Sequence, residues 1–479
     1  MDARSLHDFD DRIESFTSDW EASAHRRPHP DIRLAMTHHL VTELYRVHRA
    51  GTMGAFGMPP GPDRIGRFRT IRALVKHCGY YFLWIVKWLI VFPFDNKRKV
   101  ILASFMPDRK LSGAYLHILR AWAGVEEASI VHFSIVYDMR SVFSRDVFCY
   151  PHAIHRSLPP WETREYALCE KEYRELAQKY FPSSVLPTEM RPLWKSYARM
   201  SVSFDRLIRS LQKKKRVLCC VQDIDNFAER IIFALRSRSL SIPAVSFMHS
   251  IPLYHHLLKT VYSDVAFVWG EQQRKRIEEL SPFHPRRIVV AGRPALAGSR
   301  KTSAPSDRRL WLYIMQAYSR PLQDRSTRTP THTAAMIEEI DRRRREAAPD
   351  SVLLVKPHPS DRGVKLPGTM NIFSGNVESI LPAVDIIVTE DPTLALELLT
   401  SAIPLVYVAD AAGAVHIDYE QWGAGQHLRS PELAKPVIET ALSAPVSKEC
   451  RQKMHEYYFG NPISLSRYSE LFHEIIVDH

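Results

Sequence analysis

Several signatures are missing from this 479-residue sequence, and each absence removes a class of function. No GxxxxGK[ST] loop and no GxGxxG occur, so neither a P-loop nucleotidase nor the usual dinucleotide fingerprint is written in it. The six cysteines, at 78, 149, 169, 219, 220 and 450, have no metal-type spacing. Zinc modules are thereby excluded, and reduced, buried thiols are expected. No internal repeat is visible. No apolar run reaches the ~20 residues a membrane-spanning helix needs. The first residues, MDARSLHDFDDRIESF, are acidic and polar, unlike a signal peptide, so a cytoplasmic protein is expected. The basic run Lys213-Lys214-Lys215-Arg216 lacks interleaved aromatics and matches no reader module, so no nucleic-acid partner is expected.

What is present is ordinary globular material, 45% hydrophobic and 25% charged, long enough for two cores. Lysine plus arginine number 65 against 53 acidic residues, a net charge of +12 that favours anionic partners. Short β-branched runs ending abruptly in polar residues alternate with helical patterns: KVILASF, VLCCV, PAVSF, VAFVW, RIVV, LWLYI, VLLVK, DIIV and PLVYV. That alternation predicts an α/β chain of parallel βαβ units. Ahead of it, FDDRIESF and IRLAMTHHLVTELYRVHR read as amphipathic helices. The stretch 158–211 is helical and laced with charge, which suits an excursion or exposed helices. Between Tyr80 and Phe92 the chain is apolar and aromatic, broken only by Lys87, with Lys97, Arg98 and Lys99 close behind. Two readings fit it: a helix lying in a membrane interface, or a core helix with Lys87 reaching out to solvent.

In open parallel sheets, ligands bind beyond the carboxyl ends of the strands. Lys356, His358, Thr389, Glu390, Asp391 and Thr393 all fall there in the stretch 352–410. Asp391-Pro392-Thr393 opens a helix by the start rules, and amides at such a position favour an anion. Glu397, one turn on, can accept from a ribose hydroxyl; ordinary capping with a buried Glu397 is the plainer alternative. Further back, Asp223 ends VLCCVQD and His249 follows PAVSFM. Adjacent parallel strands would put both at one edge, where either could take a proton from an acceptor hydroxyl. The alternative is that Asp223 caps a helix and His249 orients a loop.

A basic residue and His-Pro after a strand, then an acidic and hydroxyl turn and a helix carrying Glu, resembles the donor half of GT-B fold transferases that build bacterial surface polymers. The CDP-glycerol glycerophosphotransferases, the bacterial polysialyltransferases and the capsule polysaccharide synthesis proteins are the nearest in pattern. FMHSIPLYHH (247–256), DVAFVWGEQQRKRIEEL (264–280), RRIVVAGRPAL (286–296) and YYFGNPISLSRYSELFHEII (457–476) follow in the order that resemblance expects. Ser250 departs from it where Gly is usual, Asp391-Pro392-Thr393 replaces two small hydroxyl residues, and no Glu-Asp-Gly triplet occurs.

The resemblance implies two Rossmann-like parallel-sheet domains facing across a cleft. Its divisions would be a helical extension (1–95), an acceptor domain (96–298), a nucleotide-donor domain (299–450) and a closing helix returning to the acceptor domain (451–479). It also implies that Gln316, ending the first strand of the donor domain, touches the nucleotide. The function implied is transfer of a sugar or polyol phosphate from a CMP-, CDP- or UDP-type donor to a hydroxyl of a surface or lipid-linked glycan. His249, Asp223 and His358 would be catalytic; Lys356, Gln316, Thr389, Glu390, Asp391, Thr393 and Glu397 would hold the nucleotide. No cofactor is evident, and a Mg²⁺ requirement stays open. A location on the inner face of the cytoplasmic membrane fits such an acceptor. A sugar-nucleotide epimerase of the same fold and a non-catalytic assembly subunit are the competing readings.

Overall fold

β-branched runs with no polar alternation need cover on both faces, and a parallel sheet between helices provides it. The computed structural model describes residues 3–37, 40–41, 44, 79–80, 82–105, 110–133, 142–145, 147–150, 158–181, 190–223, 228–248, 261–281, 285–294, 309–315, 330–357, 371–375, 377–390, 392–409, 417–444 and 447–478. Its strands form two all-parallel sheets. The first contains β1 (Lys99–Ser104), β2 (Ala128–His132), β3 (Val147–Cys149), β4 (Arg216–Asp223), β5 (Ala244–Phe247), β6 (Val265–Val268) and β7 (Arg287–Val290), ordered β3-β2-β1-β4-β5-β6-β7. The second contains β8 (Leu310–Ile314), β9 (Val352–Lys356), β10 (Asn371–Ile372), β11 (Val384–Thr389), β12 (Leu405–Val408) and β13 (Gln426–Leu428), ordered β10-β9-β8-β11-β12-β13. Both follow the doubly wound order 3-2-1-4-5-6, so each reverses direction between its first and fourth strands. The chain is thus two Rossmann-like α/β domains in tandem, the architecture expected of the GT-B class.

Among the described residues the helices with defined bounds are α1 (Ala3–His25), α2 (Lys110–Val125), α3 (Glu162–Tyr180), α4 (Met190–Gln212), α5 (Ala228–Ser239), α6 (Glu271–Leu280), α7 (Pro330–Ala347), α8 (Pro392–Leu398), α9 (Ala434–Ser443), α10 (Lys448–Phe459) and α11 (Leu465–Val477), and residues 30–37 are helical as well. The expectation of exposed helices over 158–211 is corrected. Residues 194, 197, 198, 201, 204, 208 and 211 recur at helical spacing on α4 and are all buried. Its first half packs with α1 and α3 around Trp20, Tyr173 and Trp194, and its second half covers the first sheet through Phe204, Leu207, Ile208 and Leu211. The charges that suggested exposure sit on the other faces, and some pair inside: buried Arg33 reaches Glu172 of α3.

The last helix completes the first domain. Phe472 of α11 stacks on Trp122 of α2 with centroids 4.4 Å apart, and lies 5.4 Å from Phe267 of β6. The chain therefore passes between domains twice, and the two passes touch. Arg293 N–H donates to the Phe459 carbonyl at 2.8 Å, and Ile463 N–H to the Ala291 carbonyl at 3.0 Å.

Residues 82–94 cover the open edge at β3 as an α-helical turn, a π turn (Lys87–Val91) and a 3₁₀ turn (Phe92–Phe94). Trp88 stacks on Phe92 at 4.3 Å, and Phe92 meets Phe148 of β3 edge-on at 4.8 Å. Lys87 does not reach out to solvent. It is 7% exposed, donates to the Ser144 carbonyl, and lies 5.0 Å from the rings of Trp84 and Phe148. That overturns the expectation that Lys87 reaches out to solvent, while Trp84, Trp88 and Phe92 do pack into the domain. Among the described residues no helix is long and apolar enough to cross a membrane. Cys149, Cys169, Cys219 and Cys220 are buried free thiols, and burial pushes Cys169 up to about 12.

Candidate functional site

The turning point of the second sheet lies between β8 and β11, and registers there place the candidates in line. Lys356 pairs with Ile314, and Ile314 with Thr389, so Lys356 and Thr389 end one row across three strands. Two strand spacings separate their backbones by about 10 Å. Both alternate with residues of the same buried face (Leu354 and Ile387), so they share a face of the sheet. Lys356 Nζ donates to the Gly375 carbonyl at 2.8 Å and lies over the Phe373 ring. Burial lowers its pKa, so an arriving anion would strengthen its charged form.

Glu390, one residue on, faces the opposite layer. Its fully buried carboxylate accepts from Tyr313 Oη at 2.8 Å and Thr333 Oγ1 at 2.5 Å. A buried carboxylate needs such donors, and this one ties β8, β11 and the first turn of α7 together. Thr393 and Glu397 stand one turn apart on α8, which ends at Leu398. Glu397 does not stand alone: Arg293, from the first domain, meets it at 2.6 Å.

Arg293 is the residue that sequence reading missed. It was visible only as part of a Gly-Arg-Pro closing the first domain, and nothing local announces its partner. Its guanidinium lies 5.3 Å from the Trp269 ring and 5.1 Å from Phe459, as a cation over aromatic faces. Trp269 Nε1 donates at 2.8 Å to Tyr115 Oη, which donates in turn to the Met248 carbonyl. A continuous path therefore runs from Glu397 in one domain to the end of β5 in the other. Burial holds the Tyr115 hydroxyl well above its ordinary pKa, so it stays a donor.

Asp223 sits at the corresponding turning point of the first sheet, between β1 and β4, in register with Phe247. It is fully buried and lies 3.6 Å from Arg230 of α5, also buried. His249, Gln316, His358 and Asp391 lie outside the described residues. Among the described residues no group of three or more His, Cys, Asp or Glu could hold a metal ion.

His132, at the end of β2, was not singled out from sequence. It is fully buried, neither ring nitrogen has a hydrogen-bond partner among the described residues, and burial lowers its pKa to about 3. The unfolded chain therefore binds a proton near pH 6.5 that the folded one refuses. The stability this residue contributes is complete above pH 6.5 and is lost on acidification toward pH 3, by about 1.4 kcal/mol for each pH unit. Unfolding temperatures measured from pH 7 to 4 should fall, and the fall should be shallower in His132→Phe. An equal slope in the variant would assign the acid sensitivity to other groups.

No protein-family model matches the chain, and no curated protein matches it by sequence. Solved structures do resemble it. A UDP-GlcNAc 2-epimerase from Methanocaldococcus jannaschii aligns at 12% identity and a TM-score of 0.46, over 78% of this chain and 99% of its own. The UDP-GlcNAc 2-epimerase of Neisseria meningitidis, bound to UDP-GlcNAc, gives 9% and 0.43 over 80% and 100%. A calicheamicin glycosyltransferase gives 14% and 0.44 over 80% and 99%. At these identities and scores, any activity must be argued from the chain's own residues.

Proposed function

We propose that the chain is a transferase that moves a sugar, or a polyol phosphate, from a nucleotide-activated donor to a hydroxyl of a surface or lipid-linked glycan. One observation carries this reading: both sheets present polar candidates at the edge where strand order reverses. These are Asp223 in the first sheet and Lys356 with Thr389 in the second. A leaving nucleotide develops negative charge on its phosphate, and fixed donors stabilise it best where water is limited. Lys356, Thr393 and His358 would supply that charge and hydroxyl at the donor side. Gln316, Thr389 and Asp391 would shape the nucleotide cleft, Glu397 would meet the ribose, and Glu390, buried in the opposite layer against Tyr313 and Thr333, would brace the strand ends rather than touch the nucleotide. On the acceptor side, His249 or Asp223 would take the hydroxyl proton. Asp223 lies 3.6 Å from the buried Arg230. His249 follows Met248, whose carbonyl is pinned by Tyr115.

The test is a panel of CMP-, CDP-, UDP- and GDP-activated donors, followed for nucleotide release with and without glycan acceptors, and with and without Mg²⁺. We expect release from one nucleotide class and stimulation by acceptor. His358→Ala should abolish turnover with the unfolding temperature unchanged; full activity in that variant removes His358 from the site. Glu397→Gln should weaken donor binding by about 1–3 kcal/mol, the cost of losing a hydrogen bond to a charged group. An epimerase of the same fold would instead isomerise the donor without any acceptor. A non-catalytic subunit would bind no donor at all.

A further inference from the structure

The segment 82–94 leaves a surface that the cleft chemistry does not use. Its inner side is anchored: Trp84 and Lys87 point into the domain, and Trp88 and Phe92 pack against β3. Its outer side is apolar and open. Leu89 is 61% exposed, Ile90 59% and Phe94 84%, and Phe143, beside the Ser144 carbonyl that holds Lys87, is 75% exposed. Isolated exposed apolar residues are ordinary, but large ones grouped on one short segment mark a contact surface.

Cations border the same patch. Lys215 Nζ binds the Asp95 carboxylate at 2.7 Å and the Lys97 carbonyl at 2.5 Å. Arg216 N–H donates to the Arg98 carbonyl at 2.7 Å. These bonds fix the basic run 213–216 against the end of the apolar segment, and Lys213, Lys214, Arg216 and Arg98 remain exposed. The one cation inside the apolar run, Lys87, is withdrawn, so the outward side chains of residues 82–94 carry no charge while the rim carries several.

We infer that this face is a membrane-attachment surface, in which Leu89, Ile90, Phe94 and Phe143 enter the interface of an anionic lipid bilayer while Arg98, Lys213, Lys214 and Arg216 bind its headgroups. Charge complementarity selects that occupant. A buried protein contact disfavours several exposed cations at its rim, whereas an anionic surface attracts each of them and apolar side chains add insertion. The segment lies on the bilayer rather than across it. The inference deepens the transferase reading, because a lipid-linked acceptor would be met at such a surface.

The experiment is flotation of the full chain with vesicles of phosphatidylcholine alone and of phosphatidylcholine mixed with phosphatidylglycerol, in the absence of donor and acceptor. Wild type should float with the mixed vesicles and release as salt is raised. Leu89→Ser/Ile90→Ser/Phe94→Ser should lower the bound fraction by about tenfold or more. Lys213→Glu/Lys214→Glu should remove the preference for the anionic lipid. Because these are exposed positions, unfolding temperature and donor hydrolysis should match wild type, which separates loss of attachment from loss of fold. Failure to float with either vesicle overturns the inference. So does a dimer of the wild type that the apolar triple substitution converts to monomer, since the patch would then be covered by a second copy. Neither failure touches the nucleotide-donor reading, which rests on the release assay.

Discussion

Gly292→Ala and Gly460→Ala should each leave little folded protein. The two glycines occupy the place where the chain's outward and returning passes between domains press backbone against backbone. Gly292 has φ +72° and Gly460 φ +60°, the left-handed region in which a side chain costs about 1 kcal/mol or more. A methyl group on Gly292 would stand 2.3 Å from the Asn461 carbonyl, and one on Gly460 would stand 2.1 Å from the Trp269 carbonyl oxygen. Both obstacles are main chain, tied by the Arg293 and Ile463 hydrogen bonds, and cannot rotate away. Strain and overlap together should exceed about 3–4 kcal/mol, a rare loss for a single methyl group. Gly113→Ala is the control. It lies within α2 with nothing within 4 Å, so the same change should be neutral or stabilise by up to about 1 kcal/mol. Soluble yield and thermal unfolding read all three. Wild-type unfolding temperatures in the two crossover variants would mean that the passes do not touch as described.

The second large effect concerns Asp223 and Arg230. Arg230→Met should destabilise the fold by about 3–5 kcal/mol, because it leaves a buried carboxylate facing a thioether. Asp223→Asn added to it removes that charge and should recover most of the loss, since an apolar or neutral replacement of a whole buried pair is often tolerated. The double variant then isolates chemistry from folding. If Asp223 takes the acceptor proton, the refolded double variant should transfer about 10²–10⁴-fold more slowly while still binding donor. Recovery of transfer together with recovery of fold would confine Asp223 to a structural role and leave His249 as the base.

Much of the strand framework could be read from the sequence because a buried parallel strand is a local signal. VLLVK, DIIVT and RIVV each hold three or four consecutive aliphatic residues, and β9, β11 and β7 begin and end close to those runs. The polar residue at a strand's end is also local, which is why Asp223, Lys356 and Thr389 could be named. What those side chains touch is not local. The pairing of Glu397 with Arg293 joins residues that the sequence keeps far apart, and it exists only because two domains meet there. Lys87 shows the same limit from the other side. Its hydrophobic neighbours suggested a lysine stretching toward water, whereas the carbonyl and two rings that hold it inside belong to residues 84, 144 and 148. The charged faces of α3 and α4 misled for a related reason: charge density announces one side of a helix, and says little of Trp194 or Phe204 on the other.

The return of α11 to the first domain has a consequence for synthesis. Trp122, Phe247 and Phe267 gain their covering aromatic, Phe472, only after the entire second domain has left the ribosome. During translation the first domain must wait with an uncovered aromatic seam, and its maturation becomes contingent on the second. A nascent chain stalled after β7 should therefore be sticky and protease-sensitive, a client for chaperones rather than an independent folding unit.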